Sequence, residues 1–342
     1  MLTSSVVFLL GLGILYLGAD WLVQGATSVA IRFGIPMLVV GLTIVALGTS
    51  MPEFLLNFFA VIVGEDSLAV GNIVGSNISN IALILGVSSV IYPITVGRGA
   101  LRREYPMMLA ATFLFWALSA DGLVSRTDGI VLVVGLGAFM FYLVRSAQEG
   151  RREHREAEPE DRAAYIRKYD PLQADEPKSI VGRFLNWLTR GSTAWIRAIL
   201  LFAGMVGLAV GARLMVESAV DIAEYLEISH VVIGLTIVAI GTSLPELAAS
   251  VMCAVRQDSD LSVGNILGSN MLNILFVVGT VALIRPMHVE TASITSHFPV
   301  MIGFSLLLYP IARSGCTISR FGGVVLLAGF AVYLLWLILP FV

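Results

Sequence analysis

Ten apolar stretches recur along the chain, at 4–29, 36–63, 67–93, 104–120, 127–146, 194–222, 229–256, 261–284, 296–312 and 321–341. A helix needs about 20 apolar residues to cross a bilayer, and most of these stretches reach that length. Short polar turns join nearly all of them. The pattern predicts an all-α polytopic membrane protein with ten transmembrane helices. One connection is different: residues 147–193 contain QEGRREHREAEPEDRAAYIRKYDPLQADEPKS, a dense mixture of both charge signs that belongs outside the bilayer. Its acids lack the spacing of an EF-hand loop, and it reads as a solvated linker. The chain therefore divides into a first five-helix unit (1–146), a hydrophilic loop (147–193) and a second five-helix unit (194–342).

The two units repeat one another. Residues 41–53 read GLTIVALGTSMPE and residues 234–246 read GLTIVAIGTSLPE, an offset of 193. At the same offset GNIVGSNISNI (71–81) faces GNILGSNMLNI (264–274), and Gly18-Ala19 faces Gly211-Ala212. Five spans per unit is an odd number, so the second unit must enter the membrane from the opposite side. That is an inverted-topology repeat, the arrangement by which a carrier shows one site alternately to each face.

Composition agrees with a lipid environment. Hydrophobic residues make up 57% of the chain and charged residues 13%, against roughly 25% charged in a soluble domain; the mean hydropathy is +0.88. If the N-terminus is outside, the cytoplasmic connections hold seventeen Lys and Arg and the outer ones only Arg126 and Arg285. The positive-inside rule then places both termini outside the cytoplasm and the central loop inside, in a multi-pass inner-membrane protein. The N-terminus has no basic residue ahead of its apolar run and reads as a retained first span. Cys253 and Cys316 are the only cysteines and make neither a disulfide framework nor a metal cluster. No embedded Ser–His pair, HExxH or paired aspartates stand out, so the chain reads as a transporter rather than an enzyme, with no cofactor and membrane lipid as its surroundings.

The chemistry lies inside the repeats. Spans two and seven carry Gly-Thr-Ser-Met-Pro-Glu (48–53) and Gly-Thr-Ser-Leu-Pro-Glu (241–246). Proline has no N–H and clashes with the preceding turn, so each helix should break there. The break is expected to release the carbonyls of Ala46 and Gly48, and of Ala239 and Gly241, beside the hydroxyls of Thr49, Ser50, Thr242 and Ser243. Glu53 and Glu246 add charge, and a carboxylate at mid-bilayer costs at least ~2.5–3.5 kcal/mol. Ser50-x-x-Glu53 and Ser243-x-x-Glu246 are also capping boxes, and a glutamate can cap a half-helix and bind an ion together. Spans three and eight carry Gly-Ser-Asn-x-x-Asn. Ser76 with Asn80, and Ser269 with Asn273, share a helix face four residues apart and read as ion contacts or their support. Asn77 and Asn270 read as bridges between helices. Every donor is a hard oxygen, which suits sodium or calcium; calcium takes 6–8 oxygens. Two negative charges are neutralised by one divalent or two monovalent ions, the physical basis of an exchange.

These paired motifs resemble the alpha repeats of the cation/calcium exchanger superfamily, and within it the prokaryotic sodium/calcium antiporters. The resemblance covers both halves and implies broken helices two, three, seven and eight around the ion site, with spans one and six sliding as a gating pair. It implies Glu53 and Glu246 as main ligands, with Thr49, Thr242, Ser50, Ser243, Ser76 and Ser269 as supporting oxygens and Ala46 and Ala239 as carbonyl donors. Some members place an aspartate where this chain has Asn80 and Asn273, so two acids stand here rather than three. The expected activity is exchange of calcium for sodium, with proton-coupled or potassium-dependent exchange as the alternative. A passive channel fits the inverted repeat and the buried charges poorly. Asp20 and Arg213 occupy equivalent positions in spans one and six, either as latches of the sliding pair or near water-facing ends.

Overall fold

The computed structural model describes residues 2–156, 194–226 and 239–339. These are mostly helical. The helices used below are α1 (Leu2–Phe33), α2 (Met37–Thr49), α3 (Met51–Val63), α4 (Asp66–Ile91), α5 (Glu104–Leu118), α6 (Arg126–Glu156), α7 (Ala194–Tyr225), α8 (Ala239–Thr242), α9 (Leu244–Arg256), α10 (Ser259–Ile284), α11 (Ser293–Cys316) and α12 (Arg320–Ile338), and a short helix, Arg98–Arg102, precedes α5. Among the described residues seven helices are long and apolar enough to cross a membrane, and the bent pair α2–α3 makes up to eight. The protein is an integral multi-pass membrane protein. The expected span at 104–120 is the 15-residue helix α5, about 22 Å at 1.5 Å per residue and short for a full crossing. Most of the central loop and residues 229–238 of the expected seventh span lie outside the described residues.

The distribution of polarity is the reverse of a soluble protein. Leu9, Phe202 and Val332 are each more than 60% exposed, while Glu53, Asn80, Glu246 and Asn273 are at most 1% exposed. Lipid removes the cost of the first set; the second set has to be explained by its partners.

Spans three and eight differ from expectation. Neither is broken: α4 and α10 are each continuous over 26 residues. Each instead contains one π-helical turn, at Asn80–Ile84 and Asn273–Val278. Neither helix contains a proline, so nothing removes a backbone donor. The extra residue of a π turn widens the helix locally, a distortion found often at functional sites, and here each begins at the motif asparagine.

Two short antiparallel ribbons join the halves reciprocally. Strand β1 (Ile94–Thr95) follows α4, β2 (Leu123–Val124) precedes α6, β3 (Met287–His288) follows α10 and β4 (Thr317–Ile318) precedes α12. β1 pairs with β4, and β2 with β3. The Thr95 N–H donates to Ser259 Oγ at 3.2 Å, and the His288 N–H to Asp66 Oδ2 at 3.1 Å. The end of α4 thus meets the start of α10, and the end of α10 meets the start of α4, so the two equivalent helices run antiparallel.

Close backbone approach positions the inner helices. A Cβ on Gly204 would sit 2.4 Å from the backbone nitrogen of Leu22, so α1 and α7 touch main chain to main chain. A Cβ on Gly264 would sit 2.5 Å from the Leu38 carbonyl, which seats α10 against α2. Asp20 and Arg213 are unlike in their surroundings despite equivalent positions. Asp20 is partly buried in an ion pair with Arg256, at the end of α9, and accepts from Gln24 at 2.7 Å. Arg213 lies on the surface and pairs with Glu217 at 2.7 Å.

Candidate cation-binding site

Each glutamate is placed by the proline beside it. Pro52 and Pro245 stand in the first turn of α3 and α9, where a missing N–H is tolerated. The same lack denies Gly48 and Gly241 their usual helical donor, and α2 and α3 meet at 47°. Ser50 and Ser243 form the joints, with nearly equal backbone angles (φ −87°, ψ 3° and φ −91°, ψ 6°). Neither serine side chain caps the helix that follows. The Ser50 hydroxyl crosses to the other half and donates to Glu246 Oε1 at 2.9 Å. The Ala46 carbonyl is not left without a donor, because α2 closes its last turn: it accepts the Ser50 N–H at 3.0 Å and lies 3.3 Å from the Thr49 hydroxyl. On the other side the Ser243 N–H reaches the Ile240 carbonyl at 3.1 Å. Ala239 begins the short helix α8.

Glu53 and Glu246 come together from the two halves. They are 1% and 0% exposed, and the carboxyl groups lie close enough to feel one another's charge. Burying two like charges side by side is costly unless a cation compensates them. One oxygen of each carboxyl, Oε2, has no hydrogen-bond partner. The hydroxyls of Ser76, Ser243 and Ser269, Oδ1 of Asn80 and both polar atoms of Asn273 are buried and unpartnered too. Unpaired buried polar atoms are rare in folded proteins. These fall on motif residues of α3, α4 and α10, on α9 and on the joint before it; others among the described residues, on Trp21, Thr27, Asp66, Ser88, Glu104 and Ser262, lie outside the motifs. Nearly all of the first group are oxygens, the donor set that calcium and sodium require.

The two bridging asparagines divide. Asn80 Nδ2 donates to Asn270 Oδ1 at 2.9 Å, which ties α4 to α10. Neither polar atom of Asn77 has a partner.

Four residues of this cluster carry no role in the sequence reading: Asn57, Asn72, Ser250 and Asn265. The Thr49 hydroxyl lies 3.3 Å from Asn265 Oδ1, and the Thr242 hydroxyl 3.2 Å from Asn72 Oδ1. Asn265 Nδ2 donates to Ser250 Oγ at 3.2 Å, and Asn72 Nδ2 to Asn57 Oδ1 at 3.4 Å. Asn57 in turn donates to the Glu53 carbonyl at 2.7 Å. The available signal was the identity of Asn72 and Asn265 across the two copies of GNI.

A cavity of about 280 Å³ runs along α4, touching Asn72, Ser76 and Ser79 and reaching His297, Tyr333 and Leu337. It brings open space to the serine side of the cluster; neither glutamate lines it.

Comparison with known proteins decides the family. The sequence model described as sodium/calcium exchanger protein matches residues 3–145 and 196–339, both halves without the central loop. The chain belongs to the sodium/calcium exchanger protein family. Within this family it is 36% identical to the putative antiporter CaxA of Alkalimonas amylolytica, over 97% of this chain and 98% of that one. It is 32% identical to the sodium/calcium exchanger MaX1 of Methanosarcina acetivorans, over 97% of each. Among solved structures the sodium-calcium exchanger NCX_Mj superposes with a TM-score of 0.75 at 32% identity, covering 96% of this chain and 97% of that one. These relatives place the chain in the prokaryotic branch of the cation/calcium exchangers, as its motifs imply.

Proposed function

We propose that the protein exchanges calcium for sodium across the membrane by alternating access, at one site built from both halves. The observation that carries this reading is the buried meeting of Glu53 and Glu246, each with a free carboxylate oxygen, among unpartnered oxygens of Ser76, Asn80, Ser243, Ser269 and Asn273. Either one calcium or two sodium ions neutralises the pair, so the site is stable when loaded and costly when bare. Glu53 and Glu246 are the principal ligands in this reading. Thr49, Thr242, Ser50, Ser243, Ser76, Ser269, Asn80 and Asn273 supply neutral oxygens or hold them, and Ala46 and Ala239 lie beside the breaks as carbonyl donors.

The halves act as inverted five-helix repeats, 1–146 and 194–342, joined by a cytoplasmic loop, with ten spans and both termini outside the cytoplasm. Supporting this are the antiparallel course of α4 and α10 and the reciprocal ribbons β1–β4 and β2–β3. In such an architecture rocking of one pair of helices against the rest exposes the same site to either face.

The test is radiolabelled calcium uptake into proteoliposomes with sodium, potassium and proton gradients imposed one at a time. An outward sodium gradient alone should drive uptake. Uptake driven only by a pH gradient, or only with potassium present, would replace the sodium reading with proton-coupled or potassium-dependent exchange.

A further inference from the structure

We propose that Asn72 and Asn265 are positioning residues of the cation site, each taking the hydroxyl proton of the opposite half's threonine and so turning that oxygen's lone pairs toward the ion. The inference rests on the site reading given above and goes beyond its ligands.

The geometry is reciprocal. Thr49 of α2 meets Asn265 of α10, and Thr242 of α8 meets Asn72 of α4. The threonines, the asparagines and the next partners (Asn57 and Ser250) all obey the offset of 193. The same contact therefore occurs twice, each time between halves. A hydroxyl has one proton and two acceptor lone pairs. A threonine free to rotate can aim its proton at a cation and repel it. Once the proton is held on an acceptor, both lone pairs remain for the ion; for Thr242 that acceptor is the Asn72 oxygen, and for Thr49 the one proton is shared between the Asn265 oxygen and the equally distant Ala46 carbonyl, both at 3.3 Å.

The asparagines are themselves fixed. Asn265, 0% exposed, spends its amide N–H on Ser250 Oγ, one helical turn beyond Glu246. Asn72 spends its own on Asn57, one turn beyond Glu53, and Asn57 holds the Glu53 carbonyl. With the nitrogen turned to that partner, the amide oxygen is the atom that faces the threonine. Each relay thus links a threonine of one half, an asparagine of the other and the helix that carries a glutamate. Partners of this outer kind typically change metal affinity 10–100-fold when removed, because they orient the groups that touch the ion.

The experiment measures calcium affinity on the purified full-length protein, from the calcium dependence of its thermal unfolding, beside flux in proteoliposomes. Asn265→Ala and Asn72→Ala should each weaken apparent calcium affinity about ten-fold or more, and leave the maximal flux at saturating calcium within about two-fold. Combined with Thr49→Val or Thr242→Val respectively, each should add nothing to the threonine change alone, since it acts through that threonine. Asn265→Asp keeps an acceptor for Thr49, loses the donor to Ser250 and adds a carboxyl group beside the cation; it should bind calcium no more than about three-fold more weakly than wild type, and serves if the alanine variant fails to fold. Unchanged affinity in the alanine variants, losses that add fully to those of the threonine variants, or an aspartate variant as impaired as alanine would overturn the proposal. Absence of sodium-driven uptake by the wild type, with calcium binding intact, would instead remove the exchange reading and leave the asparagine test standing.

Discussion

Ser50 donates to the Glu246 carboxylate at 2.9 Å, while Ser243, its counterpart in the second half, has no hydrogen-bond partner for its hydroxyl. Asn80 and Asn273 repeat the asymmetry: the first is bonded to Asn270, the second has neither polar atom paired. Under the alternating-access proposal, two halves alike in sequence and unlike in pairing are one state of the carrier, and the other state would exchange the roles. Ser50→Ala should then weaken calcium affinity at one membrane face and Ser243→Ala at the other. Each shift should be roughly ten-fold, the worth of a hydrogen bond to a charged group. Sided flux in oriented vesicles measures this, and equal shifts at both faces for both variants would contradict it.

Glu53→Gln and Glu246→Gln keep the shape of the side chain and remove its charge. Each should lower exchange by at least about 100-fold, beyond the loss typical of residues that merely support a ligand. The variants should remain folded, because losing one of two adjacent buried charges relieves repulsion. Normal transport by either would remove the assigned role.

Asp20 and Arg256 connect α1 to the end of α9, the helix that carries Glu246. A double-mutant cycle with Asp20→Asn and Arg256→Gln should give a coupling of about 0.5–3 kcal/mol in thermal stability. Additive effects would show that the pair contributes nothing as a pair.

Gly264 leaves no room for a side chain, since a Cβ there falls 2.5 Å from one backbone oxygen and 3.0 Å from the Gly41 Cα. Gly264→Ala should destabilise the protein by about 1–3 kcal/mol through overpacking. An unchanged melting temperature in detergent would show that α2 and α10 separate easily.

The bend at Ser50 and the burial of both glutamates were legible because proline's missing N–H and a carboxylate's hydration cost act locally, on residues adjacent in sequence. The pairing of Ser50 with Glu246 was not, because a capping box and a contact across the two halves use the same hydroxyl, and only packing selects between them. The π turns at Asn80 and Asn273 escaped for a similar reason: a one-residue widening leaves the hydrophobic period nearly intact. Asn72 and Asn265 sat in a repeated motif with no charge to mark them, and their partners lie 170 and 216 residues away. Asp20 and Arg213 show the limit of reading by repeat. Equivalent positions put one in an ion pair with Arg256 and the other on the surface, since the residues facing them are not repeated.

The most direct measurement is an anomalous-scattering map from crystals soaked in strontium or calcium. A cation peak should appear between Glu53 and Glu246, within about 2.3–2.6 Å of an oxygen from each, and disappear when sodium is raised. A bound ion held elsewhere, or glutamates turned away from it toward lipid, would contradict a site built on the two glutamates.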